Sequence, residues 1–544
     1  MTTAAGSGSL DAVIIFELAI ALLLFAAVLS LWANRLGVPY PAFLALGGVV
    51  LALIPAAPTV TLDPELALAL FVAPVLLDAA YDASPRDLRN NLVPLVNLAL
   101  FTVLLTIAAV AWIAKTLMPA MPWAAAVALG AIVAPPDAAA ATAVLRRLKP
   151  PHRLMVILEG ESLFNDATAL LVYRIAVGAA VSGAFSGGRV LLMLLLTGVG
   201  GVLAGMLLAR VSLWVTRRVQ DIPISILLQF ITTFAVWLIA ENLGLSAIIT
   251  VVSFAMSVAR NASRRMDGRH RIASYAVWDV VVFVLNALAF LLIGLQLRGI
   301  VQRMEPGQWG AYAQFALATC ATVMLVRILW WMPQNALVRW RIRRGKVSPQ
   351  HRSMLPTVGS GIVISWAGMR GIVTVAAALA LPDAFPFRDL IILVAFAVVL
   401  STLVVQGLSL GPIMKRVCLN EDNSVEREIG VARAETARAA IRALEEASDG
   451  ESADILRREY EARLRLGEEE AREPPTERRE SSLASLQQRA VDAQRTALHE
   501  LRQKEVIGDE AFHAVEEEID LLDVTADARI RPDSRSVASD SGGT

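Results

Sequence analysis

Cysteine and histidine are both scarce, and their scarcity removes several chemistries at once. Only Cys320 and Cys418 occur in 544 residues, the first inside an apolar run and the second just past the last one. Two isolated thiols make neither a disulfide framework nor a CxxC metal site, which argues against redox chemistry. The five histidines, His152, His270, His351, His499 and His513, all fall in charged loops or the C-terminal tail. Haem binding, zinc binding and Ser-His hydrolysis inside the apolar part therefore lack their usual ligand or base. Charge is sparse too, at 18% of residues, against 56% hydrophobic residues and a mean hydropathy of +0.58. So apolar a balance over this length is that of a polytopic membrane protein, not a soluble enzyme. Residues 1–9 carry no basic side chain, so the first apolar run is not expected to be a cleaved leader.

What is present is a series of long apolar runs. Stretches of about 20 residues, enough to cross a roughly 30 Å hydrocarbon core as helix, are expected near 11–33, 40–56, 64–81, 92–114, 122–145, 154–182, 190–213, 223–241, 244–260, 272–297, 310–336, 358–381 and 390–413. The ninth is short enough to be re-entrant. Loops after odd-numbered runs hold 22 Lys and Arg, from Arg35 through the clusters Arg260 to Arg271 and Arg339 to Arg352 to Lys415 and Arg416. The alternate loops hold five, Lys115, Arg189, Arg298, Arg303 and Arg388. That asymmetry places the N-terminus outside and the C-terminus in the cytoplasm. One missed or invented crossing would exchange the two classes from that point on.

The charge balance divides the chain. Residues 1–420 hold 31 basic and 18 acidic side chains, and the remainder 18 and 31, so a tail of net charge −13 follows a basic membrane part. Within the tail, VEREIGVARAETARAAIRALEEA and SSLASLQQRAVDAQRTALHELRQKEVI carry apolar residues at helical spacing, the pattern of amphipathic helices packing on each other or on a partner. LGEEEAREPPTERRE between them reads as a solvated linker, and 531–544 as disorder. The expected organisation is thus an all-α membrane domain over 1–418, an acidic helical tail over 419–530 and a disordered end.

An ionisable side chain at mid-membrane costs at least about 2.5–3.5 kcal/mol, so each one marks a functional candidate. Asp78, Asp137, Glu159, Glu161, Asp166, Asp279, Arg327 and Arg370 all lie in apolar runs. Glu161, Ser162, Asn165 and Asp166 fall at i, i+1, i+4 and i+5, one stripe of a helix. Hard oxygen ligands without sulfur or imidazole suit an alkali cation such as Na+. Pro135 and Pro136 remove backbone hydrogen bonds immediately before Asp137, so the fifth run is expected to unwind there. Gly368 and Gly371 bracket Arg370 and allow a similar break in the twelfth. Two broken helices in corresponding halves are the pattern of a transporter built from inverted repeats, with its site at their crossing. A carboxylate near exposed N–H ends and a guanidinium near exposed C=O ends would offset the half-helix dipoles.

The strings GAIVAPPDAAAATAV, EGESLFNDATALLVY and SWAGMRGIVTVAAALALP, with LLDAAYDASPRDLRNN and WDVVVFVLNALAFLLIGLQL, closely resemble the Na+/H+ exchanger branch of the monovalent cation/proton antiporters. The resemblance covers roughly residues 10–418 and implies thirteen helices, of which the fifth and twelfth are broken. It implies that Asp166 binds the cation or proton beside neutral Asn165, and that Asp137, Ser162 and the backbone of Pro136 add ligands. It also implies that Glu161 pairs with Arg370, and that Asp78 and Asp279 line an ion path. Departures are Pro136-Asp137-Ala138 where Thr-Asp-Pro is usual, and Asp at 78 and 279 where Glu is usual. The implied activity is exchange of Na+ or Li+ for H+, one charge for one, in a bacterial plasma membrane, as a homodimer, with no cofactor, no enzymatic reaction and no nucleic acid. A K+/H+ antiporter of the same fold is the alternative, since radius selectivity turns on sub-ångström geometry. A cation channel is disfavoured by the broken pair, and an intramembrane hydrolase because Ser162 has no histidine or lysine base.

Overall fold

The computed structural model describes residues 5–36, 38–54, 64–145, 150–182, 187–219, 221–262, 268–302, 306–345, 356–417, 424–447, 451–472 and 477–504, with 148, 419, 515, 516 and 519. Cys418 and the expected disordered end lie outside them. All regular structure among the described residues is helical, as a hydrocarbon solvent demands of an open-chain span, because every backbone N–H and C=O must find a partner within its own segment.

The chain divides into two compact units, Met1–Glu421 and Asp422–Thr544. In the first, nine described helices are long and apolar enough to cross a membrane, among them Leu92–Leu117, His152–Ala180, Trp309–Arg343 and Arg388–Arg416. Tyr40–Ala52 and Ala247–Asn261 are shorter apolar helices. Helix also runs from Pro64 to Asp82 through a π-helical turn at Leu68–Val72. The remaining apolar run is split into Val358–Trp366 and Ile372–Leu379. Polar side chains mark several starts: Ser84 accepts from Asp87 N, Asp221 from Ile224 N, and Thr357 with Ser360 forms a reciprocal capping box.

Packing inside the unit relies on small residues, since lipid supplies no hydrophobic drive between helices. The helices Tyr40–Ala52 and Gly268–Leu295 meet backbone to backbone where Gly48 faces Leu291 O and Gly294 faces Ala45 O. Neither position leaves room for a Cβ.

The second unit contains the helices Ser424–Ala447 and Glu451–Arg472, packed closely together at Gly430 against Ala471 and Gly467 against Ala434. Arg433 pairs with Glu470 at 2.8 Å, and Arg438 pairs with Glu468. Helix persists to Arg472 and resumes over Glu477–Gln503, so most of the stretch expected as a linker is helical. Glu, Arg, Leu and Ala are strong helix formers, and Arg463 with Glu459 adds an i,i+4 pair.

Gly294→Leu is expected to lower stability by about 1–3 kcal/mol through overpacking against the Tyr40–Ala52 backbone. Thermal unfolding of the purified protein in detergent measures it, and an unchanged midpoint would mean the two helices do not meet there.

Candidate functional site

The proline pair acts as expected on the fifth apolar run. Helix Trp123–Val133 stops, Ala134 to Asp137 are non-helical, and Ala138–Leu145 begins a second half. The run carrying Arg370 breaks in the same way between Trp366 and Ile372. The two breaks cross, with Asp137 N donating to Met369 O at 2.6 Å.

Four half-helix ends are thereby left inside the protein, two with free carbonyls and two with free N–H groups. Each pair meets side chains of opposite charge. Arg370, 1% exposed, donates through Nε to Val133 O at 3.0 Å, through Nη2 to Ala134 O at 3.2 Å, and through Nη1 to Gly368 O. Arg327, also 1% exposed, donates through Nε to Ile364 O at 3.0 Å, within the last turn of Val358–Trp366. Asp137 Oδ1 accepts from Ala139 N at 2.8 Å at the start of its own half-helix. A Cβ on Gly371, at the start of the other half, would fall onto the Asp137 carboxylate. Glycine is required there to let the two approach.

The polar stripe of helix His152–Ser182 reads the first break. Asn165 Nδ2 donates to Pro136 O at 3.0 Å, and Ser162 Oγ accepts from Ala138 N at 3.4 Å. Asn165 Oδ1 is buried and has no hydrogen-bond partner among the described residues. Asp166 is 5% exposed and makes no hydrogen bond or ion pair among the described residues, while the Asp137 carboxylate lies within its electrostatic range. The structure therefore brings Pro136, Asp137, Ser162, Asn165 and Asp166 together. Asp78, half-buried, and Asp279, exposed, sit on the helices Ala73–Asp82 and Gly268–Leu295, which meet through an edge contact of Tyr81 with Tyr275 at 6.2 Å.

One pairing is corrected. Glu161 was expected to hold Arg370, but it binds Arg327 in a two-pronged pair, Nη1 to Oε1 at 2.5 Å and Nη2 to Oε2 at 2.7 Å. The reason is competition: Arg370 is consumed by three carbonyls at the breaks, whereas Arg327 projects from the uninterrupted helix Trp309–Arg343. Trp330 on that helix donates to Asn97 Oδ1 at 2.7 Å, in the π-helical turn Asn97–Thr102, tying it to a second helix. Thr402, at the start of a third π-helical turn, accepts from Arg370 N at 3.0 Å. Arg327 was visible in the sequence as a charge in an apolar run, but Arg370 was given its acid.

A crossing of two broken helices, neutralised at its ends and facing a bare buried carboxylate, defines a secondary transporter of the antiporter fold. The chain belongs to the family described as sodium/hydrogen exchanger, transmembrane, whose profile matches residues 20–416. An uncharacterized Na+/H+ exchanger of Mycobacterium tuberculosis is 32% identical over 532 residues, covering 94% of this chain and 96% of that one. The sodium, potassium, lithium and rubidium/H+ antiporter of Bacillus pumilus is 28% identical over 88% of this chain and 73% of its own. The sodium proton antiporter MjNhaP1 of Methanocaldococcus jannaschii, 16% identical, superposes with a TM-score of 0.58 over 75% of this chain and 99% of that one, which shows a shared fold.

Arg327→Ala is expected to strand a buried Glu161 and cost about 3–5 kcal/mol, with the change Glu161→Gln plus Arg327→Gln recovering part of it. Thermal unfolding of the single and double variants tests this. A double variant no better than the worse single one would mean that the two charges do not act as a pair.

Proposed function

We propose that this exchanger moves Na+ inward or outward against H+ by letting the two compete for Asp166. The observation that carries the reading is that Asp166 is buried with no partner among the described residues, while Glu161, Ser162 and Asn165 on the same stripe each make a hydrogen bond. A buried carboxylate is costly to leave bare, so each reorientation of the site carries either a proton or a cation. Na+ is substrate here. Asp166 and Asp137 would supply charge to it, and Ser162 Oγ, Asn165 Oδ1 and Pro136 O would supply neutral oxygen. Asn165 adds no second negative charge beside Asp166, which supports exchange of one charge for one. Asp78 and Asp279 would attract cations along the approach. Access alternates as the helices carrying the breaks move relative to the rest.

The loop charges support an N-terminus outside and a tail in the cytoplasm, and the bacterial relatives support a plasma membrane. We place a homodimer contact in the membrane unit and give the tail a modulatory role, since it contains none of the intramembrane charges.

Asp166→Asn should abolish cation-driven collapse of a pH gradient in liposomes while leaving the protein folded, because the amide keeps the shape but neither binds a proton nor balances a cation. Half the wild-type rate would place the site elsewhere. Running the wild type with Na+, Li+, K+ and Rb+ separately reads its preference, and exchange with K+ but not Na+ would replace the ion named here.

Half-saturating Na+ should rise as pH falls, in proportion to proton concentration where the proton holds the site. A flat dependence over two pH steps of tenfold each would exclude a shared group. Truncation after Asn420 should leave exchange measurable and alter its pH or salt dependence, whereas complete loss in a monodisperse truncated protein would make the tail part of the transport machinery.

A further inference from the structure

A cavity of about 480 Å³ opens beside the end of the last membrane helix, and none of the residues assigned to the exchange site lines it. Its walls are largely apolar, with Pro39 entering from the start of Tyr40–Ala52, Val144 from the second half of the broken fifth run, Leu148 from beyond that half-helix, and Leu408 from the helix Gly407–Arg416. Lys415 and Arg416 are the charged residues on its lining, and neither makes an ion pair or side-chain hydrogen bond among the described residues. Gly411 lies on the same lining, and a Cβ there would meet nothing within 4 Å, so its face of the helix looks into open space.

Two free cations on an apolar cleft select against Na+, so this is not a branch of the exchange path. They select for an anion, and the walls decide which kind. A free phosphate or nucleotide gains nothing from Val144, Leu148 and Leu408, whereas an amphiphile buries its chains there while its head meets Lys415 and Arg416. Lys and Arg ending a membrane helix sit at headgroup depth.

We propose that the cavity binds one anionic phospholipid, its headgroup on Lys415 and Arg416 and its first methylenes against Val144, Leu148 and Leu408. The half-helix Ala138–Leu145 forms one wall, and Asp137 immediately precedes it, so the lipid touches the same short element that presents Asp137 to the exchange site. The full-length protein in mild detergent, titrated with phosphatidylglycerol or phosphatidylcholine and read by native mass spectrometry, tests this. The expected result is one phosphatidylglycerol bound roughly thirtyfold more tightly than phosphatidylcholine, from about fivefold per surface cation. Lys415→Gln with Arg416→Gln should remove the preference. Gly411→Leu fills the cleft while leaving both charges, and should remove it as well. A wild type without the preference would overturn the proposal. So would a Gly411→Leu variant that keeps it, because headgroups would then be adsorbing to surface charge alone. Water-soluble glycerol phosphate bound as tightly as phosphatidylglycerol would make the ligand a free anion and equally overturn it. Exchange by the variants in phosphatidylcholine vesicles is read separately and is expected at the wild-type rate.

Discussion

Breaking a helix inside a membrane exposes backbone groups where no water can satisfy them, and the arrangement around this site follows from that one difficulty. Two breaks at one crossing leave two carbonyl ends and two N–H ends within a few ångströms. Arg370 and Arg327 take the carbonyl ends, while Asp137 accepts from the N–H end of its own half-helix and lies against Gly371 at the start of the other. Charges that would each be costly in a bilayer become counter-charges to half-helix dipoles, so the break and the buried ions stabilise one another.

Arg327 has two roles in this scheme, capping Ile364 O and neutralising Glu161 on the helix that carries Asp166. It therefore joins the break to the stripe through a single guanidinium, whose planar fork suits a carboxylate held by two bonds. Its own helix is held by Trp330 on Asn97. With Glu161, Ser162 and Asn165 all committed to neighbours, Asp166 is left on the stripe with a charge that no described residue balances. That imbalance gives a proton or a cation its reason to bind.

The glycines have distinct tasks. Gly371 lets the Asp137 carboxylate reach the start of the second half-helix, and Gly48 with Gly294 lets two helices touch along their backbones. Gly411 faces empty space, and there the missing side chain leaves a cleft rather than a contact. A sequence shows these only as small residues in apolar runs.

Much of the fold was legible because the bilayer leaves few choices. Runs of apolar residues, Pro135-Pro136 before Asp137 and the glycines around Arg370 each carry their structural consequence locally, through hydropathy, a missing N–H or a missing side chain. Helix His152–Ser182 likewise had its polar stripe written in the spacing of Glu161, Ser162, Asn165 and Asp166. Most of the stretch expected as a linker in the tail is helical instead, because Glu, Arg, Leu and Ala favour helix on both sides of 473–476. Partner choice was the other limit. Glu161 had two buried arginines within the membrane part, 166 and 209 positions away in the chain, and spacing cannot rank such distant candidates. Only the tertiary structure decided it, because the breaks had already claimed Arg370, and which carbonyls a guanidinium meets depends on how the helices cross.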